Sequence, residues 1–144
     1  MRIVFKIYLV VFSLFLTACG GGDGVNVFSM AKETLTREPF YISDICLDEY
    51  AKYEFKEDSY RKTLYKTENL EEIDEVLEDK LEYTTTLQVS IYQDNDILDC
   101  TVTAKDDNGS VTLICIQRGI SGYSTIKKLW DSREKAVFNK TDCL

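Results

Sequence analysis

Histidine is missing from this chain altogether. With it go the usual general base near neutral pH, every histidine-containing catalytic triad and the commonest metal ligand. Proline occurs once, at Pro39, and the seven glycines form no phosphate-cradling loop. There is no Cys-x-x-Cys pair and no His-Glu-x-x-His motif. No uncharged apolar run reaches the roughly 20 residues of a membrane-spanning helix. Basic residues are in deficit, 17 Lys and Arg against 25 Asp and Glu, for a net charge of −8. That balance argues against nucleic acid and suits either plain solubility or a basic protein partner. Carboxylate-only or lysine-based catalysis stays open without a motif to support it. The expectation is therefore a protein that is not an enzyme and uses no cofactor or metal.

What is present begins at the N-terminus. Arg2 and Lys6 precede an apolar run, Ile7–Leu16, and Leu16-Thr17-Ala18-Cys19 closes it. Ten uncharged residues suit the core of a signal peptide. Leu16-Thr17-Ala18-Cys19 resembles the lipobox of bacterial lipoproteins. The resemblance implies cleavage between Ala18 and Cys19 and a lipid on the Cys19 thiol. Two or more acyl chains anchor stably, at about 0.8 kcal/mol per buried methylene. Gly20, where an Asp would favour the inner membrane, implies a lipid anchor in the outer membrane, facing the periplasm of a Gram-negative envelope. The resulting domain plan is a signal peptide at 1–18, a lipidated glycine-rich tether and linker at 19–38, and one globular domain at 39–144. Loss of Arg2 and Lys6 leaves 15 basic against 25 acidic residues, a mature net charge of −10.

Setting Cys19 aside leaves Cys46, Cys100, Cys115 and Cys143. In an oxidising compartment an even number reads as two disulfides, and four cysteines allow three pairings.

Local patterns predict an α+β domain: helices, a three-stranded antiparallel meander and a C-terminal helix, stapled by disulfides. A short helix can follow Ser29. Ser43 as N-cap, with Ile42 and Leu47 as a hydrophobic staple, predicts a helix over about 43–57. Tyr41, Tyr50, Tyr53, Tyr60 and Tyr65 read as the lining of a small core. Asn69 and Glu72 form a capping pattern, and Leu70, Ile73, Val76, Leu77 and Leu81 recur at helical spacing. The opposite face of that helix would carry Glu71, Glu72, Glu75, Glu78 and Asp79. This is the candidate partner-binding surface, facing a basic protein. Ile126, Leu129, Trp130, Arg133 and Val137 fit a helix from Ser124 to about Phe138, with a hairpin as the competing reading.

Between these, Tyr83, Thr85, Leu87, Val89 and Ile91, then Leu98, Cys100, Val102 and Ala104, then Val111, Leu113 and Cys115 alternate with polar residues as half-buried strands do. Four-residue loops at Gln93–Asp96 and Asp106–Gly109 set Tyr92 opposite Ile97 and Lys105 opposite Ser110. Val89 then faces Cys100, and Cys100 faces Cys115. A slip of one residue would put apolar side chains opposite polar ones. This register proposes a Cys100–Cys115 cross-strand disulfide and leaves Cys46–Cys143 to tie the first helix to the C-terminus.

Ser121-Gly122-Tyr123, then Trp130 and Glu134-Lys135-Ala136, resembles the C-terminal motif of the membrane-bound C-type lysozyme inhibitors. Ser132-Arg133 stands where that family has Lys-Gly. The resemblance covers about a fifth of the mature chain and implies a small lipoprotein of β-barrel fold that plugs lysozyme with exposed loops. Size, acidity and address together predict a non-enzymatic inhibitor or immunity protein against a periplasm-acting toxin or lysozyme. The alternative is a pilotin or accessory lipoprotein of a secretion or pilus system, which would need a groove or open sheet edge to capture a peptide.

Overall fold

The computed structural model describes residues 29–141; Cys19, the signal peptide and Cys143 lie outside them. A short helix α1 (Met30–Thr36) is followed by eight strands: β1 (Phe40–Asp44), β2 (Glu49–Phe55), β3 (Ser59–Tyr65), β4 (Ile73–Tyr83), β5 (Gln88–Gln93), β6 (Asp96–Val102), β7 (Ser110–Gln117) and β8 (Thr125–Trp130). A second short helix, α2 (Arg133–Phe138), ends the order. The strands pair in sequence order, all antiparallel, and close into a barrel. The expected α+β class is thereby corrected: the helices predicted over 43–57, 69–81 and 124–138 are β1–β2, β4, and β8 with α2.

Alternate positions fill the interior. Ala51, Tyr53 and Phe55 from β2 meet Leu81, Val89, Ile91, Cys100, Val102, Val111, Leu113 and Leu129 across it, all buried. Burying these side chains at roughly 25 cal/mol per Å² is the main force closing the sheet. Outward positions carry ion pairs instead, Lys52 with Glu54, Arg61 with Glu78 and Asp99 with Arg118. This polarity, apolar within and charged without, is the reverse of a lipid-facing barrel.

The β5–β6–β7 meander has the register expected from its sequence. Tyr92 pairs with Ile97, Ile91 with Leu98, Val89 with Cys100 and Cys100 with Cys115. Asp94 turns the β5–β6 hairpin at a φ of 48°. That conformation is tolerated by Asp because its short side chain can bond locally.

One rim of the barrel carries the turns at 56–58, 84–87 and 103–109, and α1 caps it. Ser29 caps α1 by accepting from the Lys32 amide, and Ala31 and Leu35 drop into the core. The Ala31 amide donates to Thr86 O at 2.9 Å, and Lys32 pairs with Glu57. The opposite rim carries the turns at 45–48, 66–72, 94–95 and 118–124.

The β8–β1 seam is thin, a single pair between Tyr41 and Trp130. A second apolar cluster seals it from outside. Leu70, Trp130 and Ala136 are buried there, with Tyr41, Tyr50, Tyr65 and Val137 packed around them. Ser132 caps α2 by accepting from the Lys135 amide, which turns Ala136 onto the seam. Beyond α2, Thr141 runs parallel to Asp44 and accepts from the Ile45 amide at 3.1 Å.

Candidate functional site

Three charged residues occupy inward positions of strands that are otherwise apolar within. Glu49 opens β2, Lys62 sits mid-β3 opposite Tyr53, and Lys127 sits on β8 opposite Leu113. They converge on one another. Lys127 Nζ lies 2.7 Å from Glu49 Oε2 and Lys62 Nζ lies 2.9 Å from Glu49 Oε1. The Tyr53 hydroxyl donates to the same carboxylate, and Lys62 Nζ stands 5.2 Å from the centre of the Tyr53 ring. The Glu49 side chain is only 8% exposed. Burial alone would raise its pKa. The charges of Lys127 and Lys62, with hydrogen bonds from Lys127 and Tyr53, outweigh burial and hold it at about 2. Burial and the Glu49 charge push the Tyr53 hydroxyl well up. At neutral pH the cluster is therefore a fixed anion clamped by two cations and a phenol that keeps its proton. It is built to lock β2, β3 and β8 together; a carboxylate so acidic is a poor proton carrier near pH 7.

Next to this cluster the barrel wall parts. β4 pairs with β3 along its length, from Ile73 opposite Tyr65 to Lys80 opposite Ser59. It pairs with β5 only at Leu81, Glu82 and Tyr83. Beyond Ile91, β5 peels away towards its hairpin. Side chains close part of the gap. The Tyr60 hydroxyl donates to Tyr92 O at 2.9 Å, and Lys80 Nζ stacks 4.8 Å from the Tyr92 ring centre. Burial, and then Asp79, push the Tyr60 hydroxyl up to about 12, so it remains a donor. A cavity of about 190 Å³ remains, lined by Tyr60, Lys62, Leu77, Glu78, Asp79, Gln93 and Asp94.

The acidic residues picked out in the sequence lie here, in a different arrangement from the one expected. Glu75, Glu78 and Asp79 belong to a strand and alternate between its two faces; Glu71 and Glu72 precede it. A single acidic helix face does not exist. Two of the five are already paired, Glu78 with Arg61 at 2.6 Å and Glu72 with Lys66 at 2.7 Å. The apolar residues assigned to the other helix face are not a buried stripe: Ile73, Val76 and Leu77 are exposed while Leu70 and Leu81 are buried in different cores.

The cysteines divide likewise. Cys100 and Cys115 form the cross-strand disulfide between β6 and β7. Cys46, in the turn after β1, is disulfide-bonded; its expected partner Cys143 lies outside the described residues. Cys19 lies outside them too. Among the described residues no group of three or more Cys, Asp and Glu is placed to hold a metal ion. Asp99 accepts from Ser90 Oγ at 2.6 Å and from Arg118 at 2.7 Å, so its carboxylate is engaged locally.

The residues that carry the lysozyme-inhibitor resemblance fall in two places. Ser121, Gly122 and Tyr123 form the β7–β8 turn on the uncapped rim, where Gly122 takes a φ of 87° and Tyr123 is 81% exposed. Trp130 and Ala136 build the external seal of the β8–β1 seam. The ion cluster and the open strand were missed in sequence. The signal for the first was a charged residue at a strand's inward position, which reads as a break in alternation unless the partner charges are known. No family model matches the chain, no curated protein matches it, and no solved structure matches it.

Proposed function

We propose that this protein is a lipid-anchored, non-enzymatic protein binder of the bacterial periplasm, an inhibitor or immunity protein against a lysozyme or a basic toxin. The observation that carries the reading is the closed eight-stranded barrel itself. It is the architecture that the resemblance through Ser121-Gly122-Tyr123, Trp130 and Glu134-Lys135-Ala136 implies, and it stands where local periodicity alone pointed to helices. Three features lend further support. The interior is filled by apolar side chains and a locked ion cluster. The uncapped rim presents exposed Ile120 and Tyr123 in the motif's turn. The net charge is strongly negative. In this reading Cys19 carries the lipid, the outer membrane is the address, and the acidic region at Glu71–Asp79 attracts a basic partner.

The test has two arms. Cys19→Ser should move the chain from the membrane fraction to the soluble fraction with its disulfides intact. The wild-type chain should inhibit a C-type lysozyme or bind a periplasm-acting toxin, and charge reversal at Glu71, Glu75 and Glu78 should weaken that effect. Full lysozyme and toxin activity in its presence, with no partner bound, would sink the reading. A second reading, an accessory lipoprotein of a secretion or pilus machine, is favoured by the open edge of β4, since peptide capture needs such an edge.

A further inference from the structure

The open segment of β4 has the makings of a binding site for an extended chain. The Leu81 amide donates to Asp58 O, on the β3 side, at 3.1 Å. Backbone groups alternate in direction along an antiparallel strand, so those of Asp79 and Leu77 also turn to β3. The amides and carbonyls of Val76 and Glu78 turn the other way, where β5 has already left the ladder; the Lys80 amide, which also turns that way, donates to Asp79 Oδ1 at 2.8 Å. Among the described residues these groups meet no backbone partner. Soluble proteins commonly blunt such an edge with lysine, proline or a covering element. Here the free stretch carries two pairs of acids, Asp74-Glu75 and Glu78-Asp79, set among exposed Ile73, Val76 and Leu77.

We propose that this edge accepts an extended, basic segment of a partner protein by strand addition, with one lysine or arginine side chain entering the cavity between β4 and the β5–β6 hairpin. The occupant follows from charge. Asp74, Glu75, Glu78 and Asp79 all lie on the free stretch, against Lys80 alone. A second copy of this chain added antiparallel would set acid opposite acid, which is destabilising. A partner strand in which pairs of cationic residues alternate with pairs of apolar ones meets the acids on both faces and covers the exposed isoleucine, valine and leucine. The cavity fits the same occupant. Leu77 and Tyr60 flank a long aliphatic stem, Asp79 and Asp94 receive the charge at its end, and the charge of Lys62, also in the lining, is held by Glu49. Backbone pairing supplies affinity and the cavity supplies choice of side chain, the division of labour usual in strand addition. The proposal rests on the reading of this chain as a protein binder.

The experiment measures fluorescence anisotropy of labelled eight-residue peptides titrated with the full chain. The probe alternates pairs of lysines with pairs of valines. One control carries N-methyl groups on alternate amides, which keeps charge and removes backbone donors; another replaces lysine with glutamate. Val76→Pro removes the outward amide and leaves the β3 side untouched, a position where an edge strand tolerates proline. The lysine–valine peptide should bind; N-methylation, which removes several donors, should abolish binding, and Val76→Pro should weaken it about tenfold, the value of one lost hydrogen bond. Equal binding of the N-methylated peptide, or of the glutamate peptide, overturns the proposal even if Val76→Pro fails to fold. A chain that inhibits lysozyme or a toxin but ignores the peptide overturns strand addition and leaves the binder reading standing. Peptide capture without any effect on either protein does the reverse to the inhibitor reading.

Discussion

The two walls of this barrel are joined by different chemistry. β5, β6 and β7 present an unbroken apolar face inward and are crossed by the Cys100–Cys115 disulfide. β2, β3 and β8 meet inside on Glu49, with Lys62 and Lys127 bonded to its two oxygens. The first wall is held by burial and a covalent bond, neither of which depends on protonation. The second is held by charges in a poorly solvated interior, where each depends on the others being present.

Removing the anion should break the second wall outright. Glu49→Gln leaves Lys62 and Lys127 buried without a carboxylate and should cost about 3–5 kcal/mol, read from the urea midpoint. The triple replacement Glu49→Leu, Lys62→Met and Lys127→Met makes this wall apolar apart from the Tyr53 hydroxyl, which loses its partners, and should recover most of that loss. A triple variant as unstable as Glu49→Gln would show that the cluster adds stability an apolar core cannot replace.

The first wall is tested by removing its bridge. Cys100→Ala with Cys115→Ala opens a loop of 15 residues and should cost about 3 kcal/mol, with the ion cluster unaffected.

Acid should separate the walls within one molecule. Glu49 ionises at about 2 in the folded barrel against an ordinary value of 4.5. Its folded pKa is depressed, so its contribution is complete above the unfolded value and is lost as pH falls through the folded one. Stability should drop by roughly 2–3 kcal/mol from this group between about pH 5 and pH 2.5. In the triple variant that decline should flatten, while the disulfide-free variant should retain it.

The smallest effect is expected at a joint between the walls. Gly109 immediately precedes β7 at a φ of +85°, and a Cβ there would run into the Asp131 carboxylate. Asp131, just after β8, donates its amide to Gly109 O at 2.9 Å and holds Lys105 and Lys135. Gly109→Ala should cost about 1–2 kcal/mol, measured by thermal melting.

The same contrast explains what could be read in advance. The register of the meander was legible because its inward positions are apolar and its alternation is clean, and the disulfide followed from it; its first strand was drawn too long, since Tyr83 ends β4 and β5 begins at Gln88, and its second ends at Val102, short of Ala104. In β2, β3 and β8 the inward series are Glu49-Ala51-Tyr53-Phe55, Tyr60-Lys62-Leu64 and Thr125-Lys127-Leu129. Each carries one member of the ion cluster, so the feature that holds these strands together also erased their period of two. Outward, Ile126 is 62% exposed and Tyr50 and Trp130 pack in the second core, which inverts the pattern again. Apolar residues then fell by chance at helical spacing. β4 misled for another reason. Most of it is exposed on both faces, so neither period is enforced, and Leu70 and Leu81, buried in separate cores, completed a false stripe. Of the candidate site, the acidic residues were legible and their arrangement was not.

The cap formed by α1 has a consequence for geometry outside the barrel. The described chain begins at Ser29, beside the turns at 56–58 and 84–87. With Cys19 held in the bilayer as proposed, the ten residues up to Ser29 form a leash of at most about 35 Å even at full stretch. On that reading the capped rim would be the moored side. The Tyr123 turn and the 66–72 turn that leads into β4 are on the rim pointing away from the mooring, so the barrel would patrol a shallow layer under the membrane with its probing surfaces turned outward.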